Sequence, residues 1–214
     1  MPTQTIVEPV VTTDSKQAIL DAAEQILALH GYAGLSMREL SRQSGLAKST
    51  LYHYFQDKSE IYISVLERDV IIVGERLTLA SQIDGDVFAR LRAVILAYFE
   101  MVDNQGFFTL NVLRRMSELE PAHLNAIYNQ HKTLVIATIA DIIREGIDHG
   151  QIRPIDPEMT VISLFSLMNG YMVRKMICKL GLTEAEEREE DVIEHTIQLF
   201  LHGIVSENSV SSTQ

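Results

Sequence analysis

The chain of 214 residues has no tryptophan and a single cysteine, Cys178. One thiol excludes an intramolecular disulfide, so the fold must rest on packing and hydrogen bonding, as fits a reducing compartment. Positive charge is also scarce. Eighteen Lys and Arg stand against 29 Asp and Glu, for a net charge of −11, which argues against a general coat of nucleic acid. The most apolar stretches are broken by Asn169, Gly170 or charges before reaching membrane-span length, so no membrane partner is expected. The opening MPTQTIVEPVVTTDS has neither the basic start nor the apolar run of a signal peptide, and a cytoplasmic location is expected. Catalytic signatures are lacking too: there is no GxSxG, no P-loop and no GxGxxG following a strand. The seven histidines are scattered, and His123 and His131, eight residues apart, suit a compact metal site badly. No catalytic residue, cofactor or metal is expected, and an α-helical enzyme is the least supported class. Alternating patterns that would build a sheet are missing, as are internal repeats.

What remains is helical. The chain is 46% hydrophobic, enough for a sizeable core. Apolar residues recur at three- and four-residue spacing, punctuated by caps, Gly and Pro. The expected architecture is all-α with about nine helices. Residues 1–13 and 206–214 read as a flexible and a disordered tail, 14–60 as a small N-terminal module, and 61–205 as a larger body. The helices expected after the module cover about 58–79, 87–102, 107–117, 120–149, 156–180 and 183–205. The last of these opens on a capping box of Thr183 and Glu186.

The module is organised around SMRELSRQSGLAKSTLYHYFQDK, Ser36 to Lys58. Ser36 and Glu39 have capping-box spacing, in which hydroxyl and carboxylate each satisfy an orphan backbone N–H. Gly45 supplies the positive φ of a sharp helix end. A second short helix carries Ser49, Thr50, Tyr52, His53 and Tyr54, and Leu51 and Phe55, four apart, seat it inward. Asp57 and Glu60 start the next helix. This is the layout of a helix-turn-helix whose second helix enters the DNA major groove. From His30 to Lys58 four cations (Arg38, Arg42, Lys48, Lys58) face two acids (Glu39, Asp57), so DNA contact is expected to be local.

From Ala18 to Tyr62 the sequence resembles the TetR family of transcriptional regulators. The resemblance rests on His30-Gly31-Tyr32, Leu35-Ser36, Arg38, Ser44-Gly45-Leu46-Ala47-Lys48, Thr50-Leu51-Tyr52-His53-Tyr54-Phe55 and Asp57-Lys58. Beyond Leu79 only helix number and length match. The resemblance implies a homodimer of all-α subunits on double-stranded operator DNA, with a body pocket for a small-molecule effector. By position it implies DNA contacts from Ser36, Arg38, Lys48, Ser49, Thr50, Tyr52, His53, Tyr54 and Lys58. Ala47 departs from it, since Ser is common there and its absence weakens a cap. Ser41 replaces a small apolar residue and receives no role.

The body is rich in aromatic and Met side chains, which suit an irregular apolar ligand but equally an ordinary core. Phe99, Phe108, Met116, Tyr128, Phe165, Met168, Tyr171 and Met172 are the pocket candidates. Asn111, Arg115 and Asn169 are the polar ones, and Arg115 has the alternative of a surface ion pair. For the dimer, Ser163, Ser166 and Gly170 would let a partner helix approach. Ile193, Ile197, Phe200 and Ile204 form an apolar stripe, with burial within the monomer as the alternative. Two helices from each subunit would make a four-helix bundle. The expected function is a ligand-responsive DNA-binding repressor released by a small, largely apolar effector. The alternative is a DNA-bound adaptor that recruits a protein partner without an effector.

Overall fold

The computed structural model describes residues 13–105, 120–183 and 188–206. Every regular element among them is a helix. The chain divides into two compact units. The described residues of the first are 13–69 and 120–124, and those of the second are 70–105, 125–183 and 188–206.

The first unit is built from α1 (Thr13–Gly34), α2 (Met37–Ser44), α3 (Lys48–Tyr54) and the first half of α4 (Lys58–Ser81). α1 is interrupted at Gly31, whose φ of 61° is open to glycine and strained for residues with a β-carbon. A further turn of helix follows it, to Gly34. The inward faces converge on one core. Ile19, Ala23 and Ile26 come from α1, Leu40 from α2, Leu51 and Phe55 from α3 and the residue after it, and Ile61, Tyr62, Val65 and Leu66 from α4. Arg68 of α4 adds a polar tie to α1, donating to Asp21 at 2.6 Å and to Glu24 at 2.7 Å.

The second unit contains the rest of α4, α5 (Val87–Gln105), α6 (Pro121–His131) from Asn125 on, a π-helical turn (Lys132–Ile136), α7 (Ala137–Asp148), α8 (Pro157–Lys179) and α9 (Glu189–Ile204). Asp86 caps α5 by accepting from the Ala89 N–H at 2.8 Å, and Asp156 caps α8 by accepting from Met159 at 2.9 Å. Pro121 and Pro157 occupy first-turn positions, where a missing N–H costs nothing. The helix expected over 107–117 lies outside the described residues. α9 starts at Glu189, with Arg188 at the cap position. Thr183 precedes it in a bend, and Glu186, its expected capping partner, lies outside the described residues. Leu77, Leu91, Ile95, Ile139, Ile143, Leu164 and Ile197 are among the side chains in one apolar core. The end of α9 is stitched to the loop after α7: the Arg153 N–H donates to the Ile204 carbonyl at 3.0 Å, and the Ser206 N–H to that of Gln151 at 2.9 Å. Among the described residues no helix is long and apolar enough to cross a membrane.

Candidate nucleic-acid interface

Ser36 stands in extended backbone at the start of α2, and its Oγ accepts from the Glu39 N–H at 3.2 Å. The reciprocal half of the expected capping box is replaced. The Glu39 carboxylate is held instead by Arg42, whose Nε–H reaches both carboxylate oxygens at 3.0 Å. That hydrogen bond holds the Glu39 carboxyl below its ordinary range and raises Arg42. An exposed pair of this kind adds little stability, but it neutralises one of the four local cations within α2. Arg38, four residues earlier, is exposed.

The turn between α2 and α3 is fixed by hydroxyls. Gly45 takes φ 71°. Ser44 Oγ donates to the Leu40 carbonyl at 2.6 Å and accepts from the Leu46 N–H at 3.3 Å. Ser41, which the sequence left without a role, donates to the Leu46 carbonyl at 2.7 Å. These bonds span the turn and so hold the angle between the two helices. Nothing in the local pattern marks Ser41, because its acceptor is a backbone carbonyl five residues on.

α3 has two faces. Leu51 and Phe55 point inward, at 0% and 2% exposure. Lys48, Ser49, Tyr52 and His53 are exposed, Tyr52 by 57%. They stand one turn apart in pairs, so they share the outer face. Thr50 corrects the sequence reading: at 6% exposure it belongs to the inner face with Leu51, since it lies half a turn from Lys48 and Tyr52. Tyr54 is half-buried, its ring set edge-on to His53 at 5.3 Å and tilted against Phe55 at 6.4 Å. Ala47 makes no side-chain cap bond.

The start of α4 is capped from both sides. Asp57 Oδ1 accepts from the N–H groups of Ser59 and Glu60 at 2.7 and 3.0 Å, and the Glu60 carboxylate accepts from Gln56 at 2.6 Å. Lys58 is held where it emerges. Its ammonium lies 4.2 Å from the centroid of the Tyr32 ring, within cation–π range. Tyr32 is itself positioned by Tyr62, edge-on at 5.1 Å, and by a 2.8 Å hydrogen bond to Ser59. A further cation that the sequence reading missed is Lys16, whose ammonium lies 5.7 Å from the Phe55 ring, just beyond the C-terminal end of α3.

Comparison with known proteins gives the family of the two stretches that carry the module and the body. The family of bacterial regulatory proteins of the tetR type matches residues 19–65. The tetracyclin repressor-like C-terminal domain matches residues 84–173. The chain belongs to the TetR family of transcriptional regulators. It is 34% identical to the HTH-type transcriptional activator FasR of Mycolicibacterium smegmatis over 93 residues, 42% of each chain. Over 189 residues it is 21% identical to the transcriptional repressor AcnR of Corynebacterium glutamicum, covering 87% of this chain and 94% of that one. A solved structure from Clostridium perfringens, named for fatty acid metabolism regulation, is 28% identical with a TM-score of 0.68. It covers 89% of this chain and 100% of its own.

In the body of this TetR-family regulator, Phe99 and Tyr171 meet edge-on at 5.1 Å, and Met168 is 1% exposed in the same core. Tyr98 and Phe165 form a second edge-on pair at 5.1 Å, and the His131 ring lies 5.8 Å from Phe165. Burial holds the His131 imidazole below its ordinary pKa, which favours the neutral ring. Asn169 is half-buried. Tyr128, at 56% exposure, faces solvent and does not join these side chains. Phe108, Asn111, Arg115 and Met116 lie outside the described residues, as does the side chain of Met172.

The stripe on α9 also corrects the sequence reading. Ile197, Phe200 and Ile204 are 0–5% exposed within the chain's own core, and Ile193 packs partly buried against it. Their partners are α5 and α8 of the same chain, so Ile197, Phe200 and Ile204 are spent on its own core. Ser163, Ser166 and Gly170 are exposed on α8. Both serine hydroxyls donate to carbonyls four residues back in their own helix, at 3.0 and 2.9 Å. Met159, Ile162, Leu167 and Val173 of α8 and Leu199 of α9 are exposed apolar residues that the sequence reading did not select.

One half-buried acid stands apart. Burial is the main cause, with Glu24 adding and Arg68 opposing, of a rise in the Asp69 carboxyl pKa to about 7.

Proposed function

We propose that this regulator is a repressor that binds double-stranded operator DNA as a homodimer and leaves it when a small, largely apolar effector enters the body. The observation that carries the DNA part is the division of α3. Leu51 and Phe55 fasten one face to the module, while Lys48, Ser49, Tyr52 and His53 stand free on the other. Hydroxyls and amines of these types reach phosphates and base edges, and a Tyr ring packs on a thymine methyl. Ser36, Arg38 and Lys58 frame that face from the neighbouring helix starts, with Lys58 held over Tyr32. Tyr54 flanks it.

The dimer is supported by the outer face of α8, where small residues alternate with Met159, Ile162, Leu167 and Val173. A groove reader needs two copies because half-sites lie one helical turn apart. The effector is supported by the aromatic pairs around Phe99, Tyr171 and Phe165 and by the relative named for fatty acid metabolism. Repression follows the relative named as a repressor, which matches over most of both chains. The test is to select operator DNA from random duplexes and screen acyl-chain and other apolar compounds for release. Release by one compound, with no effect of charged controls, supports the reading. An operator that no small molecule releases contradicts the effector half and leaves a DNA-bound adaptor.

A further inference from the structure

We infer that Tyr32 is a positioning residue for DNA binding: its ring anchors the Lys58 ammonium without neutralising it, which keeps the charge available to a phosphate. The inference rests on the operator-binding reading and on no effector. Every group it involves lies within the first compact unit.

Lys58 stands between two acids of its own helix start, Asp57 and Glu60, in a chain with 29 acids against 18 cations. An ammonium on a flexible four-carbon stem can swing to a nearby carboxylate, as the shorter-range pair of Arg42 and Glu39 does on α2. Lys58 does not. Both neighbouring carboxylates are turned to backbone, Asp57 to the N–H groups of Ser59 and Glu60, and Glu60 to that of Gln56. Among the described residues no carboxylate lies within ion-pair distance of the Lys58 ammonium. It sits instead 4.2 Å from the centroid of the Tyr32 ring. The two kinds of partner differ in what they leave behind. A carboxylate cancels the charge, whereas a ring face attracts a cation through its quadrupole and carries no net charge. The ammonium has three N–H donors, and a ring covers one side of it. The stem is thus restrained while the full positive charge and outward donors remain.

The ring is fixed in its turn. Gly31, with φ 61°, redirects α1 immediately before it. The Tyr32 carbonyl accepts from the Leu35 N–H at 3.1 Å. Tyr62, 2% exposed, meets the ring edge-on at 5.1 Å, and the Tyr32 hydroxyl is 2.8 Å from Ser59 Oγ. Ser59 directly follows Lys58, so the ring is tied to the same turn of α4 that carries the cation. Ring and ammonium are therefore held in register. With Arg42 already neutralised within α2, each remaining cation of the module weighs more in the binding of a polyanion.

The experiment compares full-length wild type, Tyr32→Phe and Tyr32→Leu, each with Lys58 intact and with Lys58→Met. It uses selection from random duplexes, titration of the wild-type operator at several salt concentrations, and thermal melting. Tyr32→Leu should melt cooperatively and select the wild-type sequence. Its affinity should fall about tenfold, for a dimer that loses two such contacts. Its slope of log affinity against log salt should become shallower as Lys58 turns to a carboxylate, by at most about 1.8 per dimer. Tyr32→Phe keeps the ring and should stay within about threefold of wild type. In the Lys58→Met background, Tyr32→Leu should cost less than about twofold more. Wild-type affinity in a folded Tyr32→Leu overturns the inference. So does an equal loss in both Lys58 backgrounds, which marks a merely structural role. Both results leave operator binding intact. A wild type that selects no DNA removes the operator reading, and the inference goes with it. Should Tyr32→Leu lose its melting transition, the test is the proton–carbon spectrum of lysine-labelled wild type, with Lys58 assigned by its absence in Lys58→Met. An upfield ring-current displacement of the Lys58 ε-methylene, in the free protein and on operator alike, supports the inference. Its absence in either state overturns it.

Discussion

Tyr52 and Lys58 both face the candidate interface, but they should fail differently when removed. Tyr52 has a free ring on the outer face of α3. Tyr52→Ala should cost about 1–3 kcal/mol at the base it reads and relax preference there, measurable by titrating single-base operator variants. A uniform loss across all variants would contradict base reading. Lys58 is a point charge held over Tyr32. Lys58→Ala should weaken every sequence alike and make the slope of log affinity against log salt shallower by roughly 0.9 per phosphate, about 1.8 per dimer. An unchanged slope would sink the phosphate role. Asp69 makes a prediction about pH. Its folded pKa, about 7, lies above the ordinary 3.8. The folded state therefore holds a proton that the unfolded chain has lost between these values. The stability it contributes is present below about pH 4 and is lost as pH rises through about 7. Asp69→Asn should match wild type in melting near pH 4 and exceed it at pH 8. The gain is at most about 4 kcal/mol, at 1.36 kcal/mol per pH unit of displacement. Equal melting of the two proteins at pH 8 would contradict a desolvated carboxylate at this position.

At the scale of helices, the starts and stops were legible because they are local. Ser36, Gly45, Asp57, Pro121 and Asp156 each act within three or four residues, and each lies where the pattern put it. Features that depend on distant or competing partners were not legible. The π turn Lys132–Ile136 has no compositional mark. Glu39 had capping-box spacing, but Arg42 on the next turn competes for its carboxylate. The apolar stripe of α9 shows that something covers it, without showing whether the cover is this chain or a copy. In the fold, α5 and α8 cover it. Phe200→Ala should therefore cost about 3–5 kcal/mol of folding stability as a core truncation, with no dependence of the loss on protein concentration. Leu199→Ala should leave monomer stability nearly unchanged. α3 offers the opposite kind of change. Ala47 leaves its N-cap without a side-chain acceptor, and Ala47→Ser should stabilise the protein by about 0.5–2 kcal/mol in chemical denaturation. A destabilised variant would show that the position is constrained by something besides the cap.

For the whole molecule, charge and symmetry decide how DNA is held. With a net charge of −11, the protein as a whole is repelled by DNA. Arg42 is already paired within α2, so in the proposed homodimer attraction is expected from Arg38, Lys48, Lys58 and Lys16 of each copy. Affinity should therefore depend steeply on pairing of subunits. The outer face of α8 is where that pairing is proposed, and Leu167→Glu should give folded monomers by light scattering with specific binding lost. Operator binding by a symmetric dimer is tested by selection of duplexes from a random pool by the full-length protein, read out as the sequence and symmetry of the enriched site. A homodimeric groove reader should enrich a two-fold palindrome whose half-sites lie about 34–36 Å apart or a multiple of that. A single asymmetric site, or no enrichment at all, would contradict it.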